Sequence, residues 1–212
     1  MAFPHLVSYI WIQQAFLHLF APWGTGGNAV DTIVNGNISY ELARPMDLYN
    51  RWFCETVAGR LARTALRCLP VLLVTFILPQ PYRMSLPSLP QLAMFLISAP
   101  LATCAVTAYM NIDAITVFYT MSRYNVIMFI LADFFAGGYI PVPFFPAPVR
   151  KVVELLPFAA MQNMPLRIYS GDITGPEAIR GIALQIFWCA AMLLFGKWLM
   201  KHSLKRVVAQ GG

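Results

Sequence analysis

The chain has 212 residues, 58% of them hydrophobic and only 11% charged, with a mean hydropathy of +0.62. An average soluble domain carries about 25% charged residues, so this composition all but excludes a soluble enzyme, a disordered regulator or a nucleic-acid binder. The net charge of +6 points to orientation in a membrane, because of where the basic residues fall.

A membrane-crossing helix needs roughly 20 mostly apolar residues. Stretches free of Asp, Glu, Lys and Arg run from Met1 to Val30, Cys68 to Tyr82, Met84 to Ile112, Tyr124 to Phe145 (interrupted only by Asp133) and Gly181 to Gly196. They predict five spans, centred near residues 6–22, 64–80, 90–111, 122–140 and 180–200. Cytoplasmic loops retain Lys and Arg. Five alternating spans place residues 24–66, a turn near 112–121 and the C-terminus on one side. That side holds Arg44, Arg51, Arg60, Arg63, Arg67, Arg123, Lys197, Lys201, Lys205 and Arg206; the other holds Arg83, Arg150, Lys151, Arg167 and Arg180. The first is therefore read as cytoplasmic and the N-terminus as external. No basic run precedes the first apolar stretch and no small-residue cleavage site follows it, which argues against a secretory signal peptide.

After the first span, Trp23-Gly24-Thr25-Gly26-Gly27 reads as a flexible turn. Val30, Ile33 and Val34 then recur at helical spacing, predicting a short amphipathic helix that Gly36 closes as a C-cap. The pattern continues through Glu41 and Arg44 until Pro45 forces a break. From Asp47 it is helical again to about Leu78, carrying Arg60, Arg63 and Arg67 along one face. That stripe is read as meeting lipid phosphates, in preference to forming a substrate site. The stretch 141–176 holds seven of the sixteen prolines, interleaved with Phe144, Phe145, Phe158 and Tyr169. Aromatics suit the membrane–water interface, and so broken a segment predicts short helices capping the outer leaflet.

Catalytic patterns are missing from the sequence. It has no GxxxxGK[ST] phosphate loop, no HExxH and no GxSxG, so the chain itself is not read as an enzyme, and no cofactor or metal is assigned to it. Asp133 is the one acid well inside a predicted span. It is either a path residue or, as favoured, a structural group reaching water or pairing with Arg150 or Arg180. His18 is read as a helix–helix hydrogen-bonding residue. Cys54, Cys68, Cys104 and Cys189 lack CxxC spacing and read as small packing residues.

Three stretches carry a resemblance to a known family. Val34-Asn35-Gly36-Asn37-Ile38-Ser39-Tyr40-Glu41-Leu42-Ala43-Arg44-Pro45 is similar to a Gly-x-Ile…Leu-x-Arg-Pro cytoplasmic segment. Phe135-Ala136-Gly137-Gly138-Tyr139-Ile140-Pro141-Val142-Pro143-Phe144-Phe145-Pro146, leading to Leu156-Pro157-Phe158, Pro165 and Gly171, is similar to an outer Gly-x-x-Ile-Pro…Phe-Pro…Leu-Pro-Phe region. The third is the basic tail ending in Gln210-Gly211-Gly212. In this order they resemble the membrane subunits of type 2 ABC exporters. The fold expected is an all-α integral membrane protein forming one permease domain over residues 1–212, with about five spans where the family usually has six. The family's chains usually have both termini cytoplasmic, so this chain would begin at what corresponds to the second span, with its start either trimmed or misassigned or else a natural short form.

The resemblance implies a division of labour. Two copies of a cytoplasmic ABC ATPase would bind ATP and Mg. A second permease chain, identical or homologous, would complete the substrate path through the bilayer of a bacterial inner membrane. Val30, Asp31, Ile33, Val34, Gly36, Glu41, Arg44 and Pro45 would couple to the ATPase, with Val30, Ile33 and Val34 as the apolar docking face. Gly137, Gly138, Pro141, Phe145, Pro146, Pro157 and Phe158 would form the outer gate or cap. The alternatives are an ATP-independent channel or scaffold and a lipid-modifying membrane enzyme.

Overall fold

The computed structural model describes residues 1–22, 27–120 and 126–205, and among these the regular elements are all helical. In chain order they are α1 (Phe3–Ala15), α2 (Leu17–Phe20), α3 (Gly27–Val34), α4 (Ile38–Leu42), α5 (Leu48–Ile77), α6 (Leu89–Thr120), α7 (Val126–Ala136), α8 (Ala147–Leu155), α9 (Pro157–Met161), α10 (Asn163–Ser170) and α11 (Gly175–Leu204). The expected glycine-rich turn at 23–26, Arg123, Arg206 and the terminal Gln210-Gly211-Gly212 lie outside the described residues.

Among the described residues, two helices are long and apolar enough to cross a membrane: α6, with 32 residues, and α11, with 30. At 1.5 Å per residue they reach about 45–48 Å. Their packing against each other is the most extensive helix pairing in the fold. It is fixed by a buried polar knot in which the Ser98 hydroxyl donates to Gln185 Oε1 at 2.7 Å, while Gln185 Nε2 donates to the Ala160 carbonyl at 2.8 Å. A side-chain amide bonded on both ends joins helices without leaving a polar atom stranded.

Helix α5 matches the predicted Asp47–Leu78 helix closely. Asp47 starts it, its carboxylate accepting the Asn50 N–H at 2.8 Å, which satisfies one of the free donors of the first turn. Pro70 lies within the helix. Its four arginines, Arg51, Arg60, Arg63 and Arg67, leave a shorter apolar run than those of α6 and α11.

Two expectations are corrected. The predicted first span is interrupted at Phe16, giving a 13-residue α1 and a four-residue α2. The predicted turn at 112–121 is instead helical as far as Thr120. Ala114, Ile115 and Val117 bury against Ile33, Trp52 and Met200, so the apolar face of α6 continues past the polar residues that suggested an end. Asp113 is itself buried, and its carbonyl accepts the Thr116 hydroxyl at 2.7 Å.

Three apolar clusters follow α6 along its length. One joins Tyr9, Ile12 and Phe20 to Phe95, Leu166 and Ile168 near its start. Another, in its middle, joins Val106 and Tyr109 to Ala132, Met161 and Cys189. The last, at its C-terminal end, gathers Ile33, Ile38, Leu48 and Trp52 around Ile115 and Met200. Cys189 is buried and Cys104 half-buried, as packing residues should be, whereas Cys54 is exposed.

Candidate functional site

The segment 28–45 is built on the last of these clusters. Ile33 and Ile38 are buried there, and Val30 and Val34 pack against it. The apolar face of α3, expected to dock a partner, is therefore turned into the chain's own core. Trp52 of α5 and Ile115 of α6 supply the apolar neighbours, leaving Val30 and Val34 partly buried. What the segment exposes instead is Asp31, Gly36, Arg44 and Pro45, together with Tyr40 at 76%, Leu42 at 43% and Met46 at 64% exposure.

Gly36 turns as the sequence predicts. Its φ is +73°, and its N–H donates to the Ile33 carbonyl at 3.1 Å. A left-handed residue just past a helix end is the usual glycine stop. Glu41 has an unexpected partner. It forms an ion pair with Arg51, whose Nε also reaches Glu55 Oε1 at 2.9 Å. These groups line a cleft of about 440 Å³ with Thr32, Trp52 and Ala58. The pair fastens α4 to the first turns of α5.

The stretch 141–176 forms the short helices predicted for it, which make up the cap. A short 3-10 turn at Val142–Phe144 is followed by α8, α9 and α10. Pro146 precedes α8 and Pro157 opens α9, since a proline at the first helical position loses no hydrogen bond. Arg167 of α10 holds the cap together, donating to Asp172 at 2.6 Å and to Glu154 of α8 at 2.5 Å. Phe145 meets Phe134 edge to face at 5.4 Å, and Phe158 meets Tyr109 likewise at 5.8 Å. Helix α8 exposes Val149, Val152 and Leu155 and buries Val153.

Gly137 and Gly138 form the turn that leads into the cap. Gly137 has φ +88°, and a Cβ there would stand 3.0 Å from the Tyr9 hydroxyl and 3.3 Å from Val142. A Cβ at Gly138 would overlap the Asp133 carboxylate. Asp133 is thus folded over its own helix end, buried, with its carbonyl accepting the Gly138 N–H at 2.8 Å. Of the two bases offered to it by the sequence, Arg150 lies toward Glu154 at 3.9 Å. Pro141 flanks Val142, which is fully buried. Gln13 of α1 reaches across to this turn, its Nε2 donating to the carbonyls of Gly138 at 3.0 Å and Gly137 at 3.4 Å.

The sequence reading missed the partners of the basic stripe. Arg60 is fully buried, and its Nη1 donates to the carbonyls of His18, Leu19 and Ala21 at 3.0, 3.1 and 2.9 Å. Arg67 donates to the carbonyl of Gln14 at 3.0 Å and to its side-chain oxygen at 3.2 Å. The stripe is therefore not a lipid-phosphate contact at these two positions: it faces the interrupted first helix. A helix end leaves its last carbonyls without intrahelical donors, and Pro22 has no N–H to offer His18 one turn earlier. That proline was the available signal.

The arrangement joins an exposed tip, a long helix and a cap of short helices bridged by Arg167. Its sequence has a known counterpart: the model of the ABC-2 family transporter protein matches residues 5–211. No curated protein and no solved structure matches the chain. The match takes in the first two of the three stretches that carried the resemblance whole, and the chain belongs to the ABC-2 transporter family, as an integral-membrane permease subunit of an ABC transporter.

Proposed function

We propose that this chain is the permease of an ATP-driven exporter, working with two copies of a separate ATPase that bind ATP and Mg and with a second permease chain. The family match over residues 5–211 is the observation that carries the reading. Five spans with residues 24–66 on the cytoplasmic side present the 35–46 tip to the ATPase. Tyr40, Leu42 and Met46 supply apolar contact there, with Asp31 and Arg44 as charged rim. Glu41, held by Arg51, passes displacement of the tip to α5. The Gly137–Gly138 turn and the cap, with Pro141, Phe145, Pro146, Pro157 and Phe158, act at the external exit.

Tyr40→Asp and Met46→Asp place a charge in this apolar contact without touching the buried cluster. Gly36→Pro removes the left-handed turn, because proline fixes φ near −65°. Each variant is expected to reach the membrane at wild-type yield while losing co-purification with the ATPase. Undiminished ATPase recovery with all three would remove this segment from the interface.

A further inference from the structure

A guanidinium buried without partners costs several kcal/mol. Arg60 avoids this by occupying three backbone carbonyls of the α2 end, with its second terminal nitrogen against the Met110 sulfur. Two turns further along α5, Arg67 holds Gln14 just before the interruption at Phe16. Both ends of the break in the first helix are thus bonded to one rigid helix. The same α5 is bonded through Arg51 to Glu41 in the exposed tip. Nine residues separate Arg51 from Arg60, about 14 Å of helix. On the far side of the break, Gln13 neighbours Gln14 and donates to Gly137 and Gly138 at the entrance to the cap.

We propose that Arg60, with Arg67, is a positioning clamp that makes α5 and the interrupted first helix move as one body, carrying displacement of the 38–46 tip to the Gly137–Gly138 turn. The inference rests on the ATPase-coupled reading above. Charge-assisted bonds to several carbonyls suit such a clamp. They are stronger than neutral ones, and they tie the side chain to backbone, which moves as a unit. A physical route alone does not establish coupling, so the test must read movement at both ends.

The test uses the permease assembled with its ATPase in vesicles, with Cys54, Cys68, Cys104 and Cys189 replaced by alanine. A single reporter, Ser39→Cys on the exposed face of the tip or Tyr139→Cys in the cap, is labelled with a water-soluble maleimide. Labelling rates are compared with and without ATP–Mg and vanadate. With Arg60 present, ATP is expected to change the rate at both reporters. In Arg60→Met the change is expected to persist at Ser39→Cys and vanish at Tyr139→Cys, with Arg60→Lys restoring part of it. Gln13→Leu removes only the last link and is expected to give the same split; it decides the matter if Arg60→Met does not assemble. A cap response retained in Arg60→Met, or in Gln13→Leu where that variant decides, overturns the clamp. An assembly containing Arg60 that responds at neither reporter overturns the ATPase-coupled reading itself, and the clamp's role with it.

Discussion

At Gly196 in α11, a Cβ would stand 2.7 Å from both the Tyr49 ring edge and its hydroxyl. Tyr49 is 2% exposed and stacks on Phe53 at 6.4 Å, so its ring has no space to yield. Gly196→Ala must separate α11 from α5, at a cost of about 1–3 kcal/mol for overpacking, measurable as a lowered unfolding temperature in detergent. Gly36 is the contrasting case. Nothing lies within 4 Å of a Cβ there, so Gly36→Ala bears only the left-handed backbone cost, roughly 1–2 kcal/mol, and Gly36→Asn less. An equal loss of stability from Gly36→Asn and Gly196→Ala would contradict these two environments. Gly36 was legible in the sequence because it follows an apolar i, i+3, i+4 pattern. Gly196 was not, since the tyrosine that requires it lies almost 150 residues away in the chain. Arg60 stands between: helical spacing shows which residues share its face but not what covers that face.

Among the elements, α5 is where sequence and structure agree most closely, because its start is set locally by Asp47 and its body by an uninterrupted helical pattern. The first span failed for a complementary reason. Its composition is apolar throughout, and composition does not reveal that the helix stops at Phe16 and resumes at Leu17. The end of α6 was misplaced because the apolar run stops at Asp113, yet Asp113 is buried and Ala114, Ile115 and Val117 beyond it pack against residues of α3 and α5. Helix α5 also leaves Leu61, Leu66, Leu69, Leu73 and Ile77 exposed, and α11 leaves Ile186, Phe187, Leu194 and Phe195. Such faces are stable against lipid or another apolar surface and costly in water. A charge at the centre of a membrane helix costs about 2.5–3.5 kcal/mol on insertion scales. Leu69→Asp is therefore expected to cut the yield of chain in the membrane fraction sharply, while Tyr40→Asp leaves it unchanged. Equal yields would place α5 outside the bilayer.

For the molecule as a whole, the order of parts held from sequence to structure even where individual boundaries did not. A buried amphipathic segment, a long arginine-bearing helix, the paired α6 and α11 and a proline-broken cap between α7 and α11 occupy the chain in the expected sequence. The identity of the surface offered to a partner changed most. Apolar periodicity found α3, but whether that face meets another protein or its own core depends on Trp52 and Ile115, which only the fold brings there. The tip around Tyr40 is exposed instead, and the proposed ATPase contact is placed there for that reason. Native mass spectrometry of the complex, gently extracted from its own membrane, reads out whether this permease works in an assembly with ATPases. Two permease chains with two ATPase subunits is the expected mass, with a single permease species or two related ones distinguishing a homodimer from a heterodimer. An intact assembly of this chain without any ATPase would contradict the account and favour an ATP-independent channel or scaffold.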